Sequence, residues 1–589
     1  MNHAGTAIQI AKSIMAVLMT TGVCATALAH DPFEEFRFYE HPGMLVDSQR
    51  HRTPDLEAAH VISLSSELQA NYSDAEREEI YTYGPWLTDD GISVNAQVLI
   101  RTIQEARVHG LNPEAYELSR ILLAVDLLSH LDDSLDADDA QEKTDAAVLR
   151  FQLGELLDTN FIKLTEHLAQ GVVDGRDIQS RLYRKAPSVN AFNLLVSVSS
   201  ADISVSQALS SVIPKHAEYK RLNAKLRNLL TEQSTGVKRT QVALDNESSL
   251  ISEAEDKQRI RERLLETGDL SFEAYAAPNA DANLIKALRS FQVRNGLEAS
   301  SFADARTRAA LNASVQDDIE SVALSLERWR WLPRDLGQRH IFVNIPEYRV
   351  KLVDNGDTQL SMPVVVGKFK HQTPSFSRDM SYMEFNPTWT VPAKITNKEL
   401  IPRERRRPGY LESRQFDYLK RVNNRLIKVP SSAVTREDFN KAHFPYILQQ
   451  RGGPINALGR MKFMMPNQYA IYLHDTQAKK HFTLNDRAFS HGCIRLSDPD
   501  SLAQMLMEGD GYKQSRIDAA LKSKRTHQVR LREPVPTHLV YLTSWVDEHK
   551  VLHKRTDIYK NDAPLLDALR ASNTLLSGYT KPYVTANNE

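Results

Sequence analysis

The chain has few cysteines, almost no net charge and no long apolar segment. Two cysteines in 589 residues exclude a disulfide-rich scaffold and a four-cysteine zinc site. The 73 basic and 75 acidic residues leave a formal charge of −2, so we predict no nucleic-acid partner bound through bulk positive charge. Beyond the N-terminus, no stretch of about 20 apolar residues predicts a membrane span.

What is present is ordinary globular composition over a long chain. Hydrophobic residues make up 41% and charged residues 25% of the sequence, which is neither disordered nor membrane-embedded usage. The length is three to four times that of a typical domain. We therefore expect a multidomain soluble protein.

Residues 1–29 have the pattern of a cleaved secretory signal. Lys12 precedes the apolar run 14–19, and the segment ends with the small-x-small tripeptide 27–29. A retained N-terminal membrane anchor is the alternative, whereas Thr21-Gly22-Val23 is a poor lead-in for a lipid-modified Cys24. Cleavage after residue 29 removes Cys24 and leaves Cys493 alone, either as a buried inert residue or as a reactive thiol.

Periodicity divides the remaining chain into several regions. We expect a lead-in segment over 30–85, then a mostly helical scaffold over 86–275, where apolar residues such as Leu118, Ile121, Val125 and Leu128 recur at helical spacing. Residues 281–314 predict two short helices around an Asn-Gly turn that bury Leu288, Phe291, Leu297 and Leu311. Strand-like runs begin near 338 and continue to about 535, and 536–589 predicts a helical tail.

A basic insertion interrupts the strand-rich region. Residues 395–450 have a charged, helix-prone composition, with Arg403, Arg405, Arg406, Arg407, Arg414, Lys420, Arg421, Arg425 and Lys428 facing few acids. The insertion is either a solvated charged face or a lid that carries positive charge toward an acidic substrate. We favour the lid.

Two segments of the strand-rich region carry the chemistry. One is a strand that ends at His474, and the other is Ser490-His491-Gly492-Cys493-Ile494-Arg495. A nearby imidazole raises the thiolate fraction of a cysteine and stores its proton, which makes a thiol nucleophile. Gly492 permits close backbone approach, so that N–H groups in this loop could face a developing oxyanion. Arg495 can bind a carboxylate through two parallel donors.

A zinc site is the competing interpretation of the same residues. His474, His481, His491 and Cys493 are all ligand types that zinc accepts. Their spacing fits no common zinc pattern, and Arg495 would place a cation beside the metal. We therefore predict no metal and no cofactor.

The motif resembles that of the L,D-transpeptidases with the YkuD catalytic domain, in particular the long periplasmic type of Gram-negative bacteria. The family signature is a histidine followed, after about fifteen residues, by S-[HS]-G-C-[IV]-R, here His474 and 490–495. Similarity extends to the segments 327–333, 344–349, 385–389 and 456–459, and upstream to 109–113. The unit 281–314 resembles a peptidoglycan-binding repeat, although Ser300-Ser301 replaces its usual glycine.

The resemblance implies a multidomain α+β fold, with a β-sandwich-like catalytic domain over 338–535 that carries a helical capping insertion, a peptidoglycan-binding-like module and a helical scaffold. The module either binds glycan or has a purely structural role. It implies a periplasmic enzyme of cell-wall biogenesis and cell shape, whose ligands are peptidoglycan stem peptides and glycan. Association with other cell-wall synthases is a further expectation.

The resemblance also implies two-step acyl transfer. Cys493 attacks the carbonyl of residue three in a tetrapeptide stem and releases D-alanine, and the acyl-thioester passes to a diaminopimelate amine, which gives a 3→3 cross-link. His474 acts as general base and later as acid, and the backbone carbonyl of Asp475 orients its ring. Carbapenems acylate the same cysteine in this family.

Roles of the neighbouring residues remain expectations. We expect His491 to support the loop by hydrogen bonding rather than to act as the base, because residues two apart on a tight turn point differently. Tyr472, Asn456, Trp389 and Arg495 are predicted to bind substrate, although Trp389 is equally compatible with core packing.

Three other classes compete with the transpeptidase. A hydrolase on the same fold would pass the acyl group to water, and the size of the insertion argues against it because a capped site excludes water. A papain-like protease has its cysteine before its histidine, the reverse of the order here. A non-catalytic wall-binding scaffold does not account for the intact His474 and Cys493.

Overall fold

The computed structural model describes residues 84–576, except 89–90, 135–139, 180, 184–185, 244–253, 278–279 and 509–510. The predicted signal peptide (1–29) and nearly all of the predicted lead-in segment (30–85) lie outside the described residues. Within the described part, no helix is long and apolar enough to cross a membrane.

The N-terminal region is helical, as predicted. It contains a small hairpin, β1 (Leu87–Thr88) and β2 (Gly91–Ile92), and the helices α1 (Val94–Glu105), α2 (Leu118–Ser134), α3 (Ala140–Gln170), α4 (Gly175–Ile178), α5 (Ala191–Ser199), α6 (Val205–Val212) and α7 (Ala217–Ser234). The apolar stripe of α2 buries Leu118, Ile121 and Leu128. Helix α12 (Val315–Arg330) returns to this core from further along the chain and contributes Val322, Leu326 and Trp329.

The small helical module is larger than predicted. Helices α10 (Ala280–Arg294) and α11 (Ala305–Leu311) share one apolar core with α8 (Ala254–Glu266) and α9 (Phe272–Ala276), which the sequence prediction assigned to the scaffold. Periodicity identifies an amphipathic helix but not the core that receives its apolar face. Leu288, Phe291 and Leu311 are buried as predicted, whereas Leu297 is only partly buried.

The strand-rich region forms one sheet that closes on itself. Its strands are β3 (Arg339–Asn344), β4 (Arg349–Asp354), β5 (Asp357–Gly367), β6 (Phe376–Phe385), β11 (Met461–Met464), β12 (Leu473–His474), β13 (Ala488–Ser490), β14 (Ile494–Leu496) and β15 (His527–Val540). Their order is β13-β5-β14-β12-β11-β6-β15-β3-β4, and a further pairing of the last strand, β4, with the second, β5, closes the sheet. The predicted sandwich-like domain is thus a single curled sheet around an apolar core, with α17 (Pro499–Glu508) and α18 (Gln514–Lys522) packed on it.

The capping insertion is not simply helical, which corrects the sequence prediction. It contains a four-stranded sheet of order β7-β10-β8-β9, made of β7 (Trp389–Thr390), β8 (Phe416–Val422), β9 (Arg425–Val429) and β10 (Ile447–Gln450). Short helices α13 (Ala393–Ile395), α14 (Ile401–Arg406), α15 (Tyr410–Ser413) and α16 (Arg436–Asn440) accompany it. Asn423 and Asn424 both have positive φ, the backbone of a two-residue hairpin turn that the charged composition obscured.

The first residues of the segment predicted as a helical tail, 536–540, belong to the sheet. Strand β15 continues to Val540, past the boundary expected at 535, and its register shifts between Arg530 and Val535. The irregularity accommodates Pro534 within a long strand. A hairpin, β16 (Ser544–Val546) and β17 (Leu552–Lys554), follows, and helix α19 (Asp562–Ala571) buries Leu565 and Leu569.

Candidate active site

Two adjacent parallel strands bring the predicted residues together. Strands β12 and β14 pair Leu473 with Ile494 and His474 with Arg495, and Ile494 N–H donates to the Tyr472 carbonyl at 3.1 Å. Leu473 and Ile494 point into the apolar core. Because side chains alternate along a strand, Tyr472, His474, Cys493 and Arg495 lie on the opposite face of the sheet.

His474 is buried and held in one orientation. Its Nδ1 lies 2.5 Å from the Asp475 carbonyl oxygen, the contact that the family resemblance implies. With Nδ1–H donating there, Nε2 is the unprotonated nitrogen of the neutral ring. Burial, followed by the nearby Arg495 charge, lowers the pKa of His474 to about 3. The imidazole is therefore a neutral proton acceptor at any pH near neutrality.

The Asp475 side chain fixes the loop beside that histidine. Its carboxylate accepts from Arg460 N–H at 2.8 Å and pairs with Lys479 Nζ at 2.9 Å. Gly459 has φ +65°, and a Cβ there would come within 2.3 Å of the Asp475 carboxylate. This glycine therefore makes room for Asp475 as well as supplying the left-handed backbone.

Asn456, predicted to bind substrate, lies in the loop beside Asp475. It is fully buried, and its Nδ2 donates to the Arg451 and Pro387 carbonyls at 2.8 and 3.1 Å. Its Oδ1 accepts from Leu458 N–H at 2.7 Å. The side chain organises the loop that packs against Asp475.

Cys493 carries a neutral thiol in the resting protein. Burial raises its pKa above the ordinary range, while hydrogen bonding from Tyr472 and the charges of Lys462 and Arg495 act in the opposite direction. Its Sγ lies 3.6 Å from the Ala470 carbonyl. These pKa directions favour the uncharged forms of both side chains, in contrast to the expectation that the imidazole raises the resting thiolate fraction.

The turn before Cys493 is held by its own motif residues. Ser490 Oγ donates to the Cys493 carbonyl at 2.6 Å and accepts from Gly492 N–H at 3.0 Å. Gly492 has φ +120°, a conformation that favours glycine. The Gly492 N–H, which we expected to lie in an oxyanion loop, is thus already engaged in a hydrogen bond within the turn. The Cys493 N–H, in contrast, makes no hydrogen bond within the described part of the chain.

Thr373 and Tyr559 support the same turn and were not predicted. Thr373 Oγ1 donates to the Gly492 carbonyl at 2.7 Å and accepts from Gly367 N–H at 2.9 Å. Tyr559 Oη donates to the Gly367 carbonyl at 2.6 Å and accepts from Thr373 N–H at 3.0 Å. No sequence pattern links these residues to the motif, because they are far apart along the chain.

His491 points to the capping insertion. Its Nε2 lies 2.6 Å from Glu399 Oε1, although the angle at Nε2 is not that of a hydrogen bond. Its ring packs near His371, with 4.8 Å between centroids. The expected hydrogen-bonding support of the loop is replaced by an electrostatic contact to the cap.

Three charged side chains surround the pair. Arg495 Nε is buried without an acceptor among the described residues, which leaves a donor free for a ligand. Lys462, which is register-paired with His474, lies over the Tyr472 ring at 4.4 Å and forms an ion pair with Glu384 at 3.5 Å. In the sequence, the alternation Met461-Lys462-Phe463 indicates a strand in which Lys462 points away from the apolar core.

Trp389 belongs to the insertion. It is half-buried, packs against the insertion core and faces Phe416 at 6.3 Å between ring centroids. Trp389 was predicted either to bind substrate or to pack in a core, and these contacts are those of core packing.

Among the described residues, no group of three or more His, Cys, Asp or Glu side chains is placed to hold a metal ion. His481, one of the ligands in the zinc interpretation, packs instead on Phe489 with 4.9 Å between ring centroids.

Comparison with known families agrees with this geometry. Residues 338–517 match the L,D-transpeptidase catalytic domain, YkuD, and residues 82–226 match a scaffold domain. The chain therefore contains a region that matches the YkuD catalytic domain and a region that matches a scaffold domain. The YkuD match contains His474, Cys493 and the whole capping insertion.

Individual relatives are more distant. A curated protein of Haemophilus influenzae that is named, provisionally, an L,D-transpeptidase is 34% identical over 243 residues. The match covers 41% of this chain and 48% of that protein, so the chain spans about half the length of this relative.

Two solved structures show partial likeness. One is an L,D-transpeptidase from Mycobacterium smegmatis, with 13% identity, a TM-score of 0.17 and coverage of 34% of this chain and 58% of that one. The other is described as the Ldtfm–avibactam carbamoyl enzyme, with 12% identity, a TM-score of 0.16 and coverage of 34% and 49%.

Proposed function

We propose that the protein is a peptidoglycan L,D-transpeptidase that forms 3→3 cross-links through an acyl-thioester on Cys493. The observation that carries the proposal is the shared face of β12 and β14, where a partly exposed thiol lies diagonally across from a buried, neutral, carbonyl-anchored imidazole. This is the arrangement of a nucleophile and its general base.

The first half-reaction follows from these positions. The Sγ–H proton passes to His474 Nε2 as sulfur attacks the carbonyl of residue three of a tetrapeptide stem. The Cys493 N–H is the available donor for the developing oxyanion. Collapse of the intermediate breaks the bond to the terminal D-alanine, whose amine takes the proton from His474 and leaves.

The second half-reaction restores the enzyme. A diaminopimelate side-chain amine attacks the thioester, gives its proton to His474, and forms the new amide as the thiol is regenerated. The unpaired Arg495 Nε and the ring of Tyr472 line the approach and are proposed to bind the stem. Asp475, through its carbonyl, and His491, through Glu399, act as positioning residues.

A hydrolase that passes the same acyl group to water is the second candidate. Transfer is favoured by the contact between His491 and Glu399 at 2.6 Å, because it brings the insertion against the nucleophile loop and so limits access of water. Carbapenems are expected to acylate the same thiol.

We further propose that the protein works in the periplasm after removal of residues 1–29. We also propose that the peptidoglycan-binding-like module binds glycan and that the protein associates with other cell-wall synthases.

Product analysis separates the two candidates. The purified enzyme is incubated with a disaccharide-tetrapeptide, and the products are separated and identified by mass. A 3→3 dimer with free D-alanine supports transfer. Tripeptide with D-alanine and no dimer identifies a hydrolase, and unchanged substrate with both wild type and Cys493→Ala contradicts the proposal.

A further inference from the structure

A second cavity lies where the small helical module meets the catalytic sheet. It has a volume of about 170 Å³ and is bordered by the turn after α10, by the turn between β3 and β4, by 485–487 and by 555–558. Leu297, predicted to be a core residue, lines this cavity. The motif that characterises the module therefore faces a space shared with the catalytic domain.

Specific hydrogen bonds hold the small helical module to the chain segment on the other side of the cavity. Arg294 donates to the Leu552 carbonyl at 3.1 Å, and Arg555 donates to the Arg294 carbonyl at 2.9 Å. Gly296 has φ +67°, and a Cβ on it would come within 2.5 Å of Arg555 Cδ. The walls of the cavity are thus preformed.

Three arginines converge on the cavity without acidic partners. Arg349, Arg487 and Arg555 all line it, and in the described part of the chain none of them has a carboxylate within salt-bridge distance. Arg487 is held by the Leu484 carbonyl at 2.6 Å and the Tyr348 carbonyl at 3.2 Å. Arg555 stacks over Trp545 at 4.8 Å.

These positive charges are only partly compensated by nearby acids. Burial lowers the pKa of Arg555 to about 10; Glu347 acts in the opposite direction, and Arg487 and Arg349 act in the same direction as burial. Burial and Arg349 also lower the pKa of Arg487, against the effect of Tyr348, Asp486 and Glu347. An anion in the cavity would relieve this mutual repulsion, and guanidinium groups match a carboxylate with paired, charge-assisted hydrogen bonds.

The lining also contains two acids. Glu347 is buried, 3.4 Å from Asn344 Nδ2, and Asp486 lies 3.8 Å from Arg306. A ligand that carries an amine beside its carboxylate would use both kinds of charge, whereas inorganic phosphate has no amine to offset the repulsion from Glu347.

We propose that this cavity is a second binding subsite, which takes a carboxylate of a peptidoglycan stem peptide. The identity of the ligand rests on the proposed function. The cavity connects to the nucleophile loop through one short strand, since Val366 N–H donates to the Arg487 carbonyl at 3.0 Å and β13 runs from the next residue to Ser490. A bound stem would be anchored at one end of the strand that positions Cys493.

Calorimetry on the full chain tests the proposal. Cys493 is first alkylated with iodoacetamide, so that the peptide is not consumed and the catalytic thiol is blocked. Free stem tetrapeptide is then titrated into wild type, Arg349→Gln, Arg349→Lys and Arg378→Gln, an exposed arginine of β6. We expect binding to be about tenfold weaker for Arg349→Gln, weakened less for Arg349→Lys, and unchanged for Arg378→Gln.

Comparison of related ligands tests which chemical group the cavity binds. Equal affinity of wild type and Arg349→Gln, or equal affinity for a tetrapeptide with amidated carboxylates, overturns the proposal. Inorganic phosphate that binds more tightly than the peptide overturns the carboxylate assignment. Unaltered thermal unfolding of Arg349→Gln establishes that the loss is local.

A separate measurement isolates the proposed function. In unalkylated Arg349→Gln, acylation of Cys493 at saturating peptide reaches the wild-type extent. Absence of acylation in the wild type contradicts the proposed function, whereas the difference in binding between wild type and Arg349→Gln tests the cavity alone.

Discussion

The reactive pair rests in its neutral form, and this determines how the thiol is activated. A buried imidazole with a pKa of about 3 does not hold a proton at neutral pH, so it cannot stabilise a resting thiolate as imidazolium. Under the proposed function, proton transfer from sulfur to His474 accompanies attack on the substrate carbonyl. The Cys493 sulfur and the His474 imidazole then become charged only when a substrate carbonyl is present for the sulfur to attack.

The first prediction concerns the pH dependence of thiolate absorbance. Burial disfavours the thiolate, so the pKa of Cys493 is displaced upward and the thiolate fraction at pH 7 is lower than that of a free cysteine. Absorbance at 240 nm, with Cys493→Ala subtracted, is expected to rise only above the ordinary range of about 8.5 to 9. A thiolate signal already present at pH 7 contradicts the neutral resting state.

The second prediction separates the two histidines. His474→Ala removes the proton acceptor and is expected to abolish acylation of Cys493 by a disaccharide-tetrapeptide. His491→Ser loses only the contact with Glu399 and is expected to retain measurable acylation. Intact-protein mass spectra over time give both results, and the opposite pattern would make His491 the base.

Sequence reasoning reached some residues of the site and not others. The histidine, the cysteine and Arg495 follow from the motif and its alternation in two strands. The hydrogen bonds of Asn456 within its own loop were not predictable, because the sequence does not show which groups a polar side chain near a catalytic motif will contact. Lys462 was missed because it reaches the site only through pairing between β11 and β12.

At the scale of elements, the nucleophile turn depends on segments distant in sequence. Thr373 follows β5 and Tyr559 follows β17, yet together they bond the Gly492 carbonyl and both polar groups of the Gly367 backbone. The C-terminal region is therefore part of the support of the active site rather than an appended tail.

The third prediction tests this support. Thr373→Val keeps the shape of the side chain and removes the hydroxyl, so the Gly492 carbonyl and the Gly367 N–H lose a partner. We expect the acylation rate constant to fall about tenfold with little change in substrate affinity. Thr358→Val, on the exposed beginning of β5, is the matched control. An equal effect of both variants, or a change in affinity alone, contradicts a positioning role.

Boundaries of elements were predicted less well than their types. The strands from 338 onward and the helices of the scaffold follow from apolar periodicity. The hairpin of the insertion was read as helical because its charged residues outweighed a turn signal of two asparagines. Strand β15 passes the boundary expected at 535, and the register shift near Pro534 that lets it continue is not visible in composition.

At the scale of the whole molecule, a buried ion pair joins segments that are far apart along the chain. Glu327 and Arg330 of α12 are fully buried and 3.1 Å apart. Arg330 donates to the His109 carbonyl at 3.0 Å, and Glu327 accepts from Val172 N–H at 2.7 Å. Two of the motifs that carry the family resemblance, 109–113 and 327–333, therefore meet in the core of the scaffold.

The fourth prediction concerns stability. Glu327→Ala leaves Arg330 as a buried, unpaired charge and is expected to lower the free energy of unfolding by about 3–5 kcal/mol. Glu320→Ala, on the same helix, breaks a more exposed pair with Arg570 and is expected to cost less than about 1 kcal/mol. Denaturant unfolding followed by circular dichroism compares the two. Similar losses for both variants contradict the central position of the pair.

The most direct test of the whole account is the mass of the intact protein after exposure to a disaccharide-tetrapeptide. The account predicts that the wild type gains the mass of the substrate less D-alanine, that peptide mapping places the gain on Cys493, and that Cys493→Ala gains nothing. An adduct on another residue, or an unmodified wild type at every time point, would contradict the assignment of Cys493 as the nucleophile.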